Sequence, residues 1–306
     1  MQRYILRRVL WIVPVLFFVA LVTFSLMHLV PGGPWDRDTR TLPPATVENL
    51  KRRYGLDKPL VEQFGTFLMN AVRGDLGISY QYQDRKVTDV LLRGLPRTAT
   101  LGVLALGMAL AVGIPLGMFA ALRQNTWLDY VSLFFATLGA SFPSFVVAIA
   151  LVIVFSVWLH WLPTGGWGTA QHLVMPALAL GFRPAAFIAR LTRASMLDVV
   201  RQDYVRTARA KGLHEQRVIS RHSLPNALIP VLTVVGPISA DLLLGSFIIE
   251  SIFSIPGIGR EYVQSIGARD YAMIMGTTLF YAVAIALANL IVDLLYGVVD
   301  PRIRYS

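Results

Sequence analysis

The sequence predicts an all-α polytopic membrane protein with six transmembrane helices and a small extracytoplasmic helical cap. Composition is the first observation behind this fold class: of 306 residues, 55% are hydrophobic, only 15% are charged, and the mean hydropathy is +0.57. Soluble domains carry about 25% charged residues. The second observation is a set of uncharged runs long enough to cross about 30 Å of hydrocarbon. The third is a strong difference in basic charge between the short loops that join them.

The apolar runs give the spans in chain order. The first, residues 9–30, follows three arginines and is too long for a signal-peptide core, so we expect it to be retained. The other predicted spans are residues 98–122, 130–159, 173–188, 228–253 and 272–299. A break is expected in the third at Pro143. Gly113 and Gly117 form a GxxxG pattern in the second, which favours close approach of a neighbouring helix.

Basic charge sets the predicted orientation. Residues 190–222 are rich in arginine, whereas residues 161–171, one span earlier, contain no Lys or Arg. The basic segment is therefore expected in the cytoplasm, and six spans then place both termini there. The long loop 31–97 falls outside, where helices ended by Gly55 and Gly74 predict a folded cap. The net charge of +10 fits topology and anionic lipid better than nucleic acid.

Several kinds of chemistry are excluded or unsupported by the sequence. There is no cysteine, which rules out disulfides, thiolate metal sites and cysteine nucleophiles. No P-loop motif occurs, and the H-E-x-x-H pattern that begins at His214 fails at Val218. We therefore expect a non-catalytic chain with no cofactor and no metal of its own.

The polar segment 194–225 is the most informative part of the sequence. Asp203 is predicted to cap a helix of about eight residues, and Gly212 to end it, with Leu213 following. Ala208 and Gly212 share a face that would admit a partner's backbone, surrounded by the charges of Arg206, Arg209 and Lys211. A second helix is expected over residues 215–222, before Pro225 starts the fifth span. The alternative is an amphipathic helix lying on anionic lipid.

Charges inside the predicted spans are candidate pathway residues. Asp241 lies near the middle of the fifth span, where it either lines a pathway or pairs with Arg183 across helices. Both readings stay open on the sequence alone. Glu250 lies near the outer end of the same span and fits a gate or a loop anchor.

Here the sequence resembles the permeases of bacterial ABC importers, in the dipeptide and oligopeptide branch. The motif Thr207-Ala-Arg-Ala-Lys-Gly212 followed by Leu224-Pro225 is similar to their EAA loop, and the whole chain is most similar to the B-type permease subunit of oligopeptide importers. Further matching fragments run in order along the chain: Ile5-Leu-Arg-Arg8, Val30-Pro-Gly32, Tyr54-Gly-Leu-Asp57, Gly74-Asp-Leu-Gly77, Pro143-Ser-Phe145, Pro256-Gly-Ile-Gly259, Arg269-Asp-Tyr271 and Asp300-Pro-Arg-Ile-Arg-Tyr305.

The resemblance implies a fold, partners and roles. It implies the ABC type I importer permease fold in a bacterial inner membrane, divided into residues 1–30, a cap 31–97 and a core 98–306. It implies partners, namely a second permease, two ATPases that bind ATP and Mg²⁺, and an extracytoplasmic peptide-binding protein that faces Pro256, Gly257 and Gly259. The residues it assigns to ATPase coupling are Arg206, Thr207, Ala208, Arg209, Ala210, Lys211, Gly212, Leu213, Leu224 and Pro225.

One departure and three alternatives accompany the resemblance. The Glu-Ala-Ala positions of the general motif read Arg206-Thr207-Ala208 here, and His222 stands at a usual isoleucine position. Related importers carry nickel or glutathione, so those cargoes are the nearest alternatives. An ion-coupled secondary transporter is the alternative from another class, and it predicts an inverted repeat that the sequence does not display. A membrane-embedded enzyme is the third, without a supporting constellation.

Overall fold

A computed structural model describes residues 2–35, 43–82 and 85–299. These residues form thirteen α-helices: α1 Gln2–Leu29, α2 Pro44–Arg53, α3 Leu60–Val72, α4 Val87–Leu122, α5 Trp127–Ser141, α6 Ser144–Leu151, α7 Gln171–Val200, α8 Asp203–Ala210, α9 Glu215–Val218, α10 Leu224–Ala227, α11 Ile229–Ile252, α12 Ile258–Ala268 and α13 Tyr271–Val299. Within the described residues, the β structure is a single isolated bridge between Ile78 and Lys86. The motif at residues 300–305 lies outside them.

The number of candidate membrane spans agrees with the predicted six when each pair of bent helices is counted as one span. Four helices are long and apolar enough to cross a membrane, and two bent helix pairs bring the total to six if each pair is one span. The expected break at Pro143 is confirmed, because α5 and α6 are bent by 109° there. Three helices extend well beyond the predicted spans: α1 begins at Gln2, α4 begins at Val87, and α7 continues to Val200.

The chain divides into two compact units, and the first joins Met1–Arg97 with Pro256–Ser306. In this unit α1 packs along α13, and α12 packs on α13. Asp270 ties the loop before α4 to the start of α13, since its carboxylate accepts hydrogen bonds from the Ser79 hydroxyl and from the Tyr80 and Gln81 amides. Burial, with the charge of Asp270, raises the pKa of the Tyr80 phenol above its usual range.

The second unit, Thr98–Ile255, is built around α7, which packs against α5, α6, α10 and α11. Its core contains Leu101, Met175 and Phe253, together with buried alanines of α7. The small residues allow close helix contact, since a Cβ on Gly113 would lie 2.7 Å from the carbonyl oxygen of Ala185. Gly117 makes the equivalent approach to Ala189 one turn later. The expected packing role of the GxxxG pattern is thereby confirmed.

Candidate functional site: a polar helical segment and an intramembrane cavity

The polar segment contains a short helix, α8, with a defined end. It has eight residues, Asp203–Ala210. Gly212 has φ +74°, its amide donates to the Arg209 carbonyl at 2.9 Å, and the Leu213 amide donates to the Ala208 carbonyl at 3.4 Å. This bond pattern is the Schellman motif, in which a left-handed glycine satisfies the last carbonyls of a helix. The predicted helix length and the predicted role of Gly212 are confirmed.

The beginning of α8 differs from the prediction. Gln202 occupies the N-cap position with extended backbone angles and no side-chain capping bond, so the prediction that Asp203 caps the helix is wrong. Asp203 instead lies in the first turn, where its carboxylate is 3.7 Å from the Arg206 guanidinium. A carboxylate in the first turn still stabilises the helix by facing the positive end of its dipole.

The polar segment is folded onto a small apolar core of its own. Val205, Ala208 and Val218 are buried together, and Leu213 packs against them. Ala208 is 6% exposed, so its side chain belongs to this core and does not offer a free face to a partner. The prediction that Ala208 helps to admit a partner's backbone is therefore wrong. Gly212 itself is exposed, and a Cβ there would meet nothing within 4 Å.

An ion pair closes the turn between α8 and α9. The Arg209 guanidinium donates two hydrogen bonds to the Glu215 carboxylate, at 3.1 and 2.8 Å. Bidentate geometry of this kind restrains direction as well as distance. The remaining surface of the segment is rich in exposed donors and small groups: Arg206, Thr207, Ala210, Lys211 and Gly212.

The second part of the segment is longer than expected. In place of a helix over residues 215–222, α9 continues through a π-helical stretch, Ile219–Ser223, into α10. Pro225 therefore opens α10, and the fifth span helix begins at Ile229 beyond a 50° bend. The prediction that Pro225 starts this span is wrong. Leu224 is half-buried beside Met196, whereas Pro225 is exposed.

A cavity of about 290 Å³ lies where the backbone of the span helices is broken or contains proline. Ala140 and Ser144 flank the α5–α6 break, Pro184 comes from α7, and Ile238 from α11. Non-helical backbone at membrane depth is tolerated where it is buried in protein or lines a water-filled cavity. The break therefore lies beside this cavity, where non-helical backbone can be accommodated.

Three charged side chains line this cavity: Arg183, Arg190 and Asp241. Arg183 and Asp241 are both exposed, and among the ion pairs of the described residues none joins them. The structure thus brings them to one cavity without pairing them. Arg190 was not predicted as a pathway residue. The sequence could have indicated this role, because Arg190 lies seven residues after Arg183 and so shares a helix face with it.

Glu250 has a different environment from the other candidate pathway residues. It is 0% exposed, and its carboxylate accepts a hydrogen bond from the Thr98 hydroxyl at 2.8 Å. Its carbonyl also accepts from the Ile255 amide at 2.8 Å, after the helix ends. Of the two sequence-level alternatives for Glu250, this geometry favours the loop anchor over the gate.

The glycine-rich turn before α12 is well packed. Gly257 is the N-cap residue of α12, and both Gly257 and Gly259 are buried. The Pro256 carbonyl accepts from the Arg97 guanidinium at 3.1 Å. A Cβ on Gly94 would lie 2.9 Å from the Ile258 amide nitrogen, so this turn is held against the start of α4. The turn consists of Pro256 and Gly257, since Gly259 already lies in α12, and its half-buried proline is the more accessible part.

Comparison with protein families identifies the family to which this chain belongs. Residues 113–305 match the model of the binding-protein-dependent transport system inner membrane component, and residues 1–102 match the model of its N-terminal region. The chain belongs to this family. It is therefore a transport permease subunit with several membrane-spanning helices.

Relatives match the permease over its whole length. It is 43% identical over 304 residues to the dipeptide transport system permease protein DppB of Bacillus subtilis, covering 99% of this chain and 98% of that one. It is 42% identical over 307 residues to the oligopeptide transport system permease protein OppB of Escherichia coli K12, covering 100% of both. An inward-facing structure of the MetNI methionine ABC transporter has a TM-score of 0.57 at 19% identity, covering 70% of this chain and 97% of that one. This likeness shows the ABC type I permease fold.

The permease also contains a buried ion pair that sequence reasoning missed. The Arg193 guanidinium donates to both carboxylate oxygens of Asp129, at 2.6 and 2.8 Å, and the Asn125 amide adds a bond of 3.1 Å. The pair ties the first turn of α5 to α7, one turn beyond Arg190. It thereby fixes the end of the α4–α5 connection against the helix that carries the cavity charges.

Proposed function

We propose that this permease forms half of the translocation pathway of an ATP-driven importer of dipeptides or oligopeptides, coupled to partner ATPases through α8 and the turn that follows it. The proposal rests on one observation, the compact structure of the polar segment. It has its own core, a Schellman end and a bidentate ion pair, so it can move as one body. It also leaves its cations facing outward, where a partner can meet them.

Rigid coupling needs a short, stiff element joined directly to a span. The segment meets this requirement because α8 follows α7 after a two-residue connection, and α10 leads into α11. Both of these long helices line the cavity. Movement of α8 would therefore be passed to the two helices that carry Arg183, Arg190 and Asp241. Partner ATPases, a second permease and an extracytoplasmic binding protein complete the proposed assembly.

The cavity charges support a peptide cargo. A peptide is a zwitterion, with a carboxylate that two arginines can attract and an ammonium group that Asp241 can attract. The relatives named for dipeptide and oligopeptide transport agree with this cargo. A passage must also release what it binds, and exposed charges that form no ion pair within the described residues suit weak binding better than a closed site does.

The test is uptake by the assembled importer in proteoliposomes. We expect accumulation of a labelled dipeptide or tripeptide that requires hydrolysable ATP and the binding protein, with ATP bound only by the partner subunits. Nickel or glutathione should compete poorly. Accumulation by the purified permease alone, driven by a proton gradient, would contradict the proposal.

Matched variants test the coupling surface separately. Arg206→Ala and Lys211→Ala remove exposed cations of the proposed docking face, and Arg217→Ala removes an exposed cation of α9 outside it. We expect the first two to lower peptide-stimulated ATP hydrolysis and the third to leave it unchanged. Equal loss in all three would indicate a general effect of charge, and no loss in any would remove Arg206 and Lys211 from the coupling surface.

A further inference from the structure

The helix α3, Leu60–Val72, has a polar face that points into a cavity. Gln63, Thr66 and Asn70 recur at helical spacing and line a cavity of about 500 Å³, together with His28 of α1 and Tyr271 of α13. The wall of this cavity also carries the charged residues Arg52, Lys58 and Asp75, so the polar face of α3 is distinct from its apolar faces.

A second face of α3 packs against α1 within its apolar segment. The ring centroid of Phe64 lies 5.8 Å from that of Phe17 and 5.2 Å from that of Phe24. Both of these rings belong to the candidate span Leu10–Leu29, whose mean hydropathy is 2.5. At 1.5 Å per residue, Phe24 and Phe17 lie about 7.5 and 18 Å before Leu29 along the helix. One hydrocarbon leaflet is about 15 Å thick, so a membrane centred on the candidate span Leu10–Leu29 puts Phe64 at the depth of acyl chains.

The third face of α3 is apolar and uncovered. Val61 and Val72 are 85% and 89% exposed, Met69 is exposed between them, and a Cβ on Gly65 would meet nothing within 4 Å. These four residues recur at helical spacing, so they form one stripe. The span α1 exposes a similar surface, including Phe18 at 64%. Such a surface on a span is expected to face lipid.

We propose that α3 is a membrane-embedded amphipathic helix lying in the leaflet that contains the C-terminal half of α1, with its Val61, Gly65, Met69 and Val72 stripe against acyl chains. The depth of Phe64 selects lipid as the occupant of this stripe, because a helix held there is beside hydrocarbon wherever protein does not cover it. A charged pair at the start, Lys58 and Glu62 at 2.6 Å, and the exposed Arg73 at the end are placed to reach the headgroups. The extracytoplasmic region is then anchored in the bilayer instead of standing above it as a cap.

The absence of native cysteine makes the experiment direct. Single variants Gly65→Cys and Val72→Cys carry a nitroxide label in the full-length permease, assembled with its co-purifying subunits in lipid nanodiscs. Collision of the label with oxygen, which enters lipid, is compared with collision with a water-soluble nickel chelate. Phe18→Cys is the lipid control and Lys51→Cys, on an exposed position of α2, is the water control. We expect oxygen-to-nickel ratios at positions 65 and 72 as high as at position 18 and well above that at position 51.

Two results would overturn the proposal. A ratio at positions 65 and 72 equal to that at position 51 would place the stripe in water. Low collision with both reagents would mean that protein covers it, whether a second permease or a binding protein. If Gly65→Cys fails to insert, Val72→Cys decides the question alone, because its side chain is the most exposed of the stripe.

Discussion

At the scale of single residues, Asp241 and Glu250 illustrate why an intramembrane carboxylate needs its surroundings before it can be given a role. Both lie on α11, nine positions apart, and both are rare charges in an apolar helix. Glu250 is fully buried and bonded to Thr98, whereas Asp241 faces a cavity that also contains Arg183. Removing the charge should therefore affect transport in one case and stability in the other.

Asp241→Asn is the corresponding test. Because Asp241 has no ion partner among the described residues, its charge supports no folded contact, and the melting temperature should change little. Peptide uptake should fall or change its substrate preference, since the cavity loses the group that attracts an ammonium. The matched variant Glu250→Ala should lower the melting temperature instead, because it removes the buried carboxylate that accepts the Thr98 hydrogen bond. Loss of stability in Asp241→Asn with unchanged uptake would assign Asp241 a structural role.

At the scale of elements, the end of α8 depends on one backbone conformation. Gly212 has φ +74°, where a residue with a Cβ costs about 1–2 kcal/mol, although no neighbouring atom blocks a side chain. We expect Gly212→Leu to loosen the turn and abolish stimulation of the partner ATPases while the permease still inserts. Gly212→Asn is the control, since asparagine tolerates this conformation better, and it should retain more coupling. Full coupling in Gly212→Leu would remove Gly212 from the mechanism.

The packing of α4 on α7 gives a second prediction at this scale. Gly113 and Gly107 lie on the same helix, but a Cβ on Gly113 meets the Ala185 carbonyl oxygen and one on Gly107 meets nothing within 4 Å. Gly113→Ala should destabilise the permease by about 1–3 kcal/mol through overpacking. Gly107→Ala should be neutral or stabilise it by up to about 1 kcal/mol through helix propensity. Thermal unfolding in detergent measures both, and equal effects would contradict the close contact.

The elements also separate what the sequence could predict from what it could not. Glycine ends of helices at Gly55, Gly74 and Gly212, and the break at Pro143, follow from local backbone chemistry and are confirmed. The Asp129–Arg193 pair joins residues 64 positions apart, and no local pattern indicates it. Burial of Ala208 likewise depends on α9 folding back onto α8. The capping error at Asp203 arose because a cap and a first-turn acid have the same residue preference.

At the scale of the whole molecule, the membrane topology depends on how the α5–α6 pair, bent by 109°, sits in the bilayer. The pair either crosses as one broken span or forms a re-entrant loop. We predict that the pair crosses the membrane as one broken span, which would place the loop 159–170 outside and the segment 203–227 in the cytoplasm, where ATPases could reach it. If the pair is re-entrant, both loops exchange sides. The arginine excess of residues 190–222 favours the first arrangement.

Cysteine mapping of the native-cysteine-free chain tests this directly. Thr164 in the loop and Gln216 in α9 are both exposed, so Thr164→Cys and Gln216→Cys should leave the packing intact. In sealed inverted vesicles, whose cytoplasmic face is outward, a membrane-impermeant maleimide should label position 216 at once and position 164 only after detergent is added. Right-side-out cells should give the opposite order. Labelling of position 164 but not of position 216 in inverted vesicles would place α8 on the side away from any cytoplasmic ATPase, and it would contradict the proposed coupling.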